Sequence, residues 1–157
     1  MFFKKKTSSL KAYCDGRMIS IEKVNDEVFS QKMMGDGVAI QPVNGKLTSP
    51  CDGTVSMIFE QTGHAIGLIM DNQMEILLHI GLDTVNVKER LFCCNVKKGQ
   101  KVKSGDLLIT YDFDKLKAMN IDTVTMCVIT SQGKAKDITF ASEGEVIAGS
   151  SDILTYR

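Results

Sequence analysis

The side chains best suited to nucleophilic or acid–base chemistry are two histidines, His64 and His79, which are the only ones in the 157-residue sequence. Between them, Asp71-Asn72 is typical of a two-residue hairpin loop, because Asp and Asn tolerate positive φ better than most residues. With that loop the two histidines pair directly across adjacent strands, and their Cβ atoms lie ~4.5–5.5 Å apart. The sequence therefore predicts that both imidazoles meet on one sheet surface.

The second strand of this hairpin alternates between large aliphatic and other residues. The aliphatic set, which is expected to face the core, is Met74, Ile76, Leu78 and Ile80. His79 then lies on the opposite, more accessible face with Glu75 and Leu77. The prediction depends on the loop, because a three-residue loop would shift the register by one and place the histidines on opposite faces.

Three chemistries use a pair of imidazoles. A metal site needs one or two further ligands, but the sequence has no third histidine, and the nearby acids are only Glu75 and Asp83. Acid–base catalysis with a serine or cysteine nucleophile needs a supporting motif that is not present. An imidazole can also accept a phosphoryl group itself, since a pKa near ~6.5 leaves it mostly neutral at pH 7. The second imidazole would then hydrogen-bond the phosphoryl oxygens.

Short runs rich in β-branched residues, separated by turn residues, must position these side chains. Regularly spaced strands of this kind favour an all-β fold, an antiparallel β-sandwich or barrel with glycine-rich turns. The predicted strands are Met18–Ile21, Val38–Gln41, Thr54–Phe59, Ala65–Met70, Met74–Ile80, Phe92–Val96, Leu107–Tyr111, Val124–Thr130 and Val146–Ala148.

Helix is predicted at one or two short places only. Asp112–Met119 has a capping Asp112 and two residues, Leu116 and Met119, expected to face inward. A shorter turn is expected within Asn25–Lys32, where Asn25 or Asp26 can cap.

Composition excludes several function classes. The 19 basic and 19 acidic residues give a formal net charge of +0, which argues against a dedicated nucleic-acid-binding protein. Aromatic residues are 6% and tryptophan is absent, so base-stacking platforms are not expected. The longest mostly apolar run, Met74–Leu82, is far shorter than the ~18 residues of a membrane span. Direct insertion into a membrane is therefore not predicted.

Chain organisation is predicted to be simple. We expect a solvated N-terminal tail over residues 1–14 and a single domain over residues 15–157. Lys4-Lys5-Lys6 is not followed by the apolar stretch of a secretion signal, so the tail is not interpreted as one. The five cysteines are odd in number and irregularly spaced, which favours reduced thiols in a cytoplasmic protein over disulfides or a zinc knuckle.

The segment His79-Ile80-Gly81-Leu82-Asp83-Thr84-Val85 resembles the active-site motif of glucose-type enzyme IIA of the bacterial phosphoenolpyruvate-dependent sugar phosphotransferase system. Two supporting blocks, Gly35–Pro42 and Thr62–Ala65, occur in the same order, and the resemblance runs from about Asp15 nearly to the C-terminus. The family fold is an antiparallel β-sandwich, which agrees with the strand pattern. The resemblance implies a cytoplasmic phosphohistidine carrier.

By position, His79 matches the family's histidine that is phosphorylated at Nε2 by phospho-HPr. His64 matches the histidine needed to pass the group to the cysteine of a sugar-specific enzyme IIB, and Thr62 matches a threonine that hydrogen-bonds within the site. The resemblance implies that no cofactor is required, although zinc can bind between the two histidines when a partner supplies a carboxylate. It also implies signalling to regulatory partners through the phosphorylation state.

The resemblance further implies a docking rim around the histidines. Asp26 and Asp83 match acids that meet basic groups on HPr. The matching apolar positions in this sequence are Val28, Phe29, Ile66, Leu77, Ile80 and Val85. Of these, Ile80 is also expected in the core, because the alternation of its strand favours that face. Three residues depart from the family pattern: Gln73 replaces a glycine in the hairpin loop, Gly63 replaces the commoner Asn before His64, and Glu27 replaces an apolar residue at the rim.

Other interpretations remain open at the level of sequence. The glycine-punctuated phrase Val96–Leu108 resembles biotinyl and lipoyl carrier domains, but the exposed modifiable lysine of those domains is not evident. A LytM-type zinc peptidase shares the β architecture but needs ligands that are missing here. A non-catalytic regulator could bind partners through the same apolar face, and retained binding without phosphorylation would distinguish it.

Overall fold

The computed structural model describes residues 7–157. Over these residues the chain forms fourteen strands and two short α-helices. The strands are Ser8–Lys11 (β1), Gly16–Ser20 (β2), Gly37–Pro42 (β3), Lys46–Thr48 (β4), Gly53–Ile58 (β5), Ala65–Ile69 (β6), Glu75–Ile80 (β7), Phe92–Cys94 (β8), Lys101–Val102 (β9), Leu107–Tyr111 (β10), Thr125–Ser131 (β11), Thr139–Phe140 (β12), Gly144–Val146 (β13) and Asp152–Tyr156 (β14). The helices are Glu27–Ser30 (α1) and Phe113–Ala118 (α2).

The strands form one large sheet and two small ones, and all their pairings are antiparallel. The large sheet has the order β13-β2-β3-β11-β7-β6-β5-β9, and the small sheets have the orders β1-β14-β12 and β4-β10-β8. The predicted fold class, an all-β antiparallel sandwich with very short helices, is confirmed.

Buried side chains form two clusters on the two faces of the large sheet. The main core contains the alternating residues of β7 on one face, with the aliphatic side chains of β6, β10 and β14. The second cluster lies on the other face and includes Leu77 of β7, Phe29 of α1 and Ile21 of the 3₁₀ turn Ile21–Lys23. The alternation of β7 thus sends Ile76, Leu78 and Ile80 into the main core, as predicted, and His79 toward the second cluster.

The hairpin of β6 and β7 differs from the prediction by one residue. His79 pairs with Ala65, not with His64. The loop contains three residues, closed by the Gln73 N–H donating to the Met70 carbonyl at 2.9 Å, and Gln73 adopts φ 70°. A loop of this length places a left-handed residue at its third position, which is where the resemblance leads us to expect glycine. The predicted two-residue loop is therefore wrong.

Residues 8–14 are part of the fold, so the predicted N-terminal tail over residues 1–14 is wrong for this part. Strand β1 pairs with β14, and Leu10 and Tyr13 are fully buried. The Tyr13 hydroxyl donates to the Thr125 carbonyl at 2.7 Å, which ties this segment to the centre of the large sheet. The tail predicted for residues 1–6 lies outside the described residues.

Both predicted helices form, each with an aspartate cap. Asp26 accepts a hydrogen bond from the Val28 N–H, and Asp112 accepts one from the Lys115 N–H. In α2 Leu116 is buried as predicted. Met119 is 38% exposed, because it lies at the C-cap after the last helical residue, where the helix no longer directs its side chain toward the core. The inward position predicted for Met119 is wrong.

Candidate functional site

His79 is the penultimate residue of β7 and is followed by a tightly held turn. The Gly81 N–H donates to the Val124 carbonyl at 2.8 Å, and the Thr84 hydroxyl donates to the Ile80 carbonyl at 2.6 Å. Gly81 adopts φ 77° and Asp83 adopts φ 57°. Added at Gly81, a Cβ would lie 2.6 Å from the Thr84 methyl, so glycine is required both by conformation and by space.

His64 lies immediately before β6 and leaves the regular alternation of that strand. Gly63 adopts φ 77°, and the His64 carbonyl accepts a hydrogen bond from the Ile80 N–H at 2.8 Å. The backbone therefore turns at Gly63-His64, and the His64 side chain reaches the His79 face despite the shifted register. The centroids of the two imidazoles are 4.7 Å apart and their planes are inclined at 82°. The predicted meeting of the two histidines is correct, although the pairing used to predict it is not.

Three phenylalanines surround the two imidazoles. Phe29 packs against His79 with ring centroids 5.0 Å apart. Phe59 packs edge-on against His64 at 4.9 Å, and Phe92 lies farther out at 6.3 Å. Rings packed at these distances restrict the rotation of each imidazole. Both histidines are thus held in place by apolar side chains before any ligand arrives.

The two nitrogens of His79 have different environments. Nδ1 is buried and, among the described residues, has no hydrogen-bond partner of good geometry. Nε2 is therefore the nitrogen through which His79 faces solvent. Burial lowers the pKa of His79, while the Gly81 carbonyl and the Asp26 carboxylate partly oppose that shift. His79 is consequently neutral at pH 7 and keeps a lone pair.

His64 is 2% exposed and its Nδ1 is hydrogen-bonded to the Thr62 hydroxyl. Burial, and to a lesser degree the neighbouring His79, lower the pKa of His64 from 6.5 to about 4. His64 is therefore neutral as well. The hydrogen bond to Thr62 fixes the ring orientation and leaves Nε2 as the free nitrogen of His64.

The histidines lie in an open cavity of about 400 Å³, which we call the histidine pocket. Of the residues predicted around the site, those that line it are Asp26, Val28, Phe29, Leu77, Asp83 and Val85. Val28 and Val85 are 40% and 47% exposed, so apolar surface extends from the pocket to solvent. The structure thus brings most of the predicted rim to one place.

Ile66 does not belong to this rim. It is fully buried in the main core, on the opposite face of the sheet. The reason is the shifted register: Gly67, not Ile66, pairs with Leu77, and Ala65 pairs with His79. The predicted partner-binding position of Ile66 is therefore wrong. Ile80 is also fully buried, which agrees with its interpretation as a core residue.

Five further residues line the histidine pocket without having been predicted: Met34, Met57, Phe59, Ala65 and Thr84. Met57 lies in β5 and Phe59 is the residue directly after it, and β5 pairs with β6. That pairing, read together with the position of His64, is the signal that would have found them. No sequence signal places Met34 there.

A metal ion at this site would need ligands from outside the chain. Two imidazole nitrogens are available, but residues 7–157 contain no group of three or more His, Cys, Asp or Glu side chains arranged to hold a metal. A tetrahedral zinc site needs four ligands, so two imidazoles supply only half of one.

All five cysteines are free thiols. Within the part of the chain that the structure describes, no helix is long and apolar enough to cross a membrane.

Comparison with known proteins gives consistent matches. The family described as "phosphoenolpyruvate-dependent sugar phosphotransferase system, EIIA 1" matches residues 8–135. A glucose-specific EIIA component from Oceanobacillus iheyensis is 42% identical over 139 residues, covering 88% of this chain and 84% of the relative. A glucose-specific EIICBA component from Streptococcus pneumoniae is 43% identical over 146 residues, which are 93% of this chain but only 20% of that longer protein.

A solved structure is similar over nearly its whole length. The glucose permease IIA from Mycoplasma capricolum has a TM-score of 0.86 and 35% sequence identity, and the match covers 99% of each chain. The all-β fold, the paired histidines and these matches all indicate the same family. The chain belongs to the EIIA 1 family of the phosphoenolpyruvate-dependent sugar phosphotransferase system and is a phosphotransferase component of that system.

Proposed function

We propose that His79 carries a phosphoryl group, which it accepts from phospho-HPr and passes to the cysteine of a sugar-specific enzyme IIB. The transfer drives the uptake and phosphorylation of a sugar. The observation that carries this proposal is the pair of imidazoles 4.7 Å apart in an open pocket, with Nδ1 of His79 buried so that Nε2 faces the partner.

In the first step the lone pair of His79 Nε2 attacks the phosphorus atom of the phosphohistidine on HPr. A nitrogen–phosphorus bond forms at His79 as the bond to the HPr imidazole breaks, and its electron pair returns to that imidazole. Neutral His79 is required, and the lowered pKa of His79 supports it. The donor is already activated, so the step needs no nucleotide or metal cofactor.

His64 stabilises the transferring group. We assign the Thr62 hydroxyl as donor to His64 Nδ1, which leaves a proton on His64 Nε2. That N–H can donate to a phosphoryl oxygen, where charge accumulates during transfer. Because His64 is held by Thr62 and by Phe59, it requires little reorganisation when the phosphoryl group arrives.

In the second step the thiolate of the enzyme IIB cysteine attacks the phosphorus atom. A sulfur–phosphorus bond forms, the bond to His79 Nε2 breaks, and the electron pair returns to Nε2. Both catalytic histidines are thereby restored. His64 donates to the same oxygens during this step, which is why we expect His64 to be needed for discharge.

The partners dock on the rim of the histidine pocket. Exposed Val28 and Val85, with Leu77 and Phe29 beneath, offer the apolar contact. Asp26 and Asp83 line the same pocket and attract basic groups on HPr.

A partner that supplies a carboxylate could complete a zinc site with the two imidazoles. The five free thiols support a cytoplasmic location. The same surface would report the phosphorylation state to regulatory partners.

The proposal is tested with phosphoenolpyruvate, enzyme I, HPr and enzyme IIB. His79→Ala should abolish labelling, because the accepting nitrogen is removed. His64→Ala should still be labelled but should discharge slowly to enzyme IIB. Discharge of His64→Ala at the rate of the unaltered protein would refute the role of His64. Partner binding without any labelling would favour the non-catalytic regulator.

A further inference from the structure

A second groove adjoins the histidine pocket and is charged with the opposite sign. It has a volume of about 680 Å³ and lies next to His64, because Thr62 and Gly63, the two residues before that histidine, line it. Phe92 also lines this groove, and the centroid of its ring lies 6.3 Å from that of His64. We call this cavity the basic groove. A protein that covers His64 would therefore extend over it.

Four cationic side chains line the basic groove, against two carboxylates, Glu60 and Glu89. The cations are Lys88, Arg90, Lys97 and Lys98. Among residues 7–157, none of the four lies within 4.0 Å of a carboxylate, whereas Glu89 lies 3.6 Å from Lys115 outside the cationic set. The groove thus holds a local positive excess on a chain with a formal net charge of +0.

The turn that carries Lys97 and Lys98 is fixed before any partner binds. The Gly99 N–H donates to the Val55 carbonyl at 2.7 Å, and the Lys97 N–H donates to the Gln100 side chain at 3.1 Å. A preorganised backbone lowers the entropic cost of binding. The two ammonium groups are thus carried on a rigid support beside the site.

The floor of the basic groove is apolar. Half-buried Ile58 and Phe92, and Val96 at 8% exposure, lie beneath the charged walls. Acidic polypeptides combine carboxylates with apolar side chains, which suits cationic walls over an apolar floor. A nucleic acid backbone or a lipid headgroup layer would instead meet the repulsion of Glu60, Glu89 and the nearby Asp26 and Asp83 over a larger area.

We propose that the basic groove receives an acidic polypeptide segment, with apolar side chains among its carboxylates, carried by the protein that docks over the histidine pocket. This inference rests on the proposed function, since it assumes that a partner covers the histidines. The histidine pocket, with its acids, and the basic groove then form two halves of one docking surface, and their opposite charges fix the orientation of the partner.

The probe is a fluorescein-labelled peptide of eight glutamates and three leucines, and binding is measured by fluorescence anisotropy at low and at moderate salt. The charge-reversed variant K97E/K98E should bind about tenfold more weakly, and added salt should weaken binding to the unaltered protein. The matched control K134E/K136E carries the same change at the far end of the β6–β7 hairpin, beside its loop. It should bind within twofold of the unaltered protein.

Three results would overturn the inference: no binding of the peptide, equal loss in both variants, or equally tight binding of a single-stranded DNA of the same charge. All substituted lysines are exposed, and K97Q/K98Q repeats the test with neutral side chains. No arm uses phosphoryl transfer, so failure here is distinct from failure of the proposed function, which is measured as labelling of His79 by phospho-HPr.

Discussion

Protonation of His64 should destabilise the folded chain at mildly acidic pH. Burial and the neighbouring His79 lower the pKa of His64 from 6.5 to about 4. Below pH 6.5 the unfolded chain binds a proton at this histidine, whereas the folded chain does not until the pH approaches 4. The free energy of unfolding therefore falls as the pH falls through this window, and above it the contribution is constant.

The size of the change in unfolding free energy follows from the shift in the pKa of His64. At about 1.4 kcal/mol per pKa unit, the full shift corresponds to about 3 kcal/mol, of which about 2 kcal/mol is lost by pH 5. The carboxylates of the chain titrate at low pH as well, so the quantity to compare is the difference between the unaltered protein and His64→Gln. Glutamine does not titrate and keeps a polar group beside Thr62.

The assay is urea denaturation of both proteins at pH 7 and at pH 5, with proton NMR titration of His64 as a direct readout. The advantage in unfolding free energy of the unaltered protein over His64→Gln should shrink by about 2 kcal/mol between the two pH values. An unchanged difference, or an NMR pKa near 6.5 for His64, would refute the reasoning from burial.

Three further predictions concern the site. Thr62→Val removes the hydrogen bond to the His64 imidazole and should slow discharge to enzyme IIB about fivefold in a rapid-quench assay. It should also lower Tm by about 2–4 °C, because Nδ1 of the buried His64 is left without a partner. Gly81→Ala places a Cβ 2.6 Å from a threonine methyl at φ 77° and should lower the free energy of unfolding in urea by about 2 kcal/mol, more than Gly105→Ala, which shares a positive φ but meets no atom within 4 Å. Val85→Asp should raise the KM for phospho-HPr about tenfold, whereas Val43→Asp, which is also exposed (64% against 47%) but lies outside the pocket, should not. Equal losses of stability in the two glycine variants, or equal KM values in the two valine variants, would contradict the roles assigned to Gly81 and Val85.

Local patterns predicted the strands near the site because their alternation matches burial. In β7 the residues at alternate positions are buried in the main core, and His79 faces the other way, as the sequence indicates. The loop was harder to predict. Gln73 adopts a left-handed conformation that its side chain does not signal, so the register and the placement of Ile66 were wrong by one residue.

Long-range pairing was not visible from the sequence. Strand β1 pairs with β14, more than 140 residues away, and neither segment has the strong alternation of β7. The prediction of an N-terminal tail is therefore wrong for this first segment. Likewise Met34 and Met57 reach the histidine pocket only through tertiary packing. Contacts of this kind depend on how the sheet is assembled, which local propensity does not encode.

The central claim is that His79 receives the phosphoryl group at Nε2, because Nδ1 is buried. The chain is incubated with phosphoenolpyruvate, enzyme I and HPr, the labelled residue is mapped by mass spectrometry, and the nitrogen is identified by ³¹P and ¹⁵N NMR. We expect one phosphoryl group, on Nε2 of His79. A phosphoryl group on Nδ1 or on His64, or no labelling of the folded protein, would contradict the account.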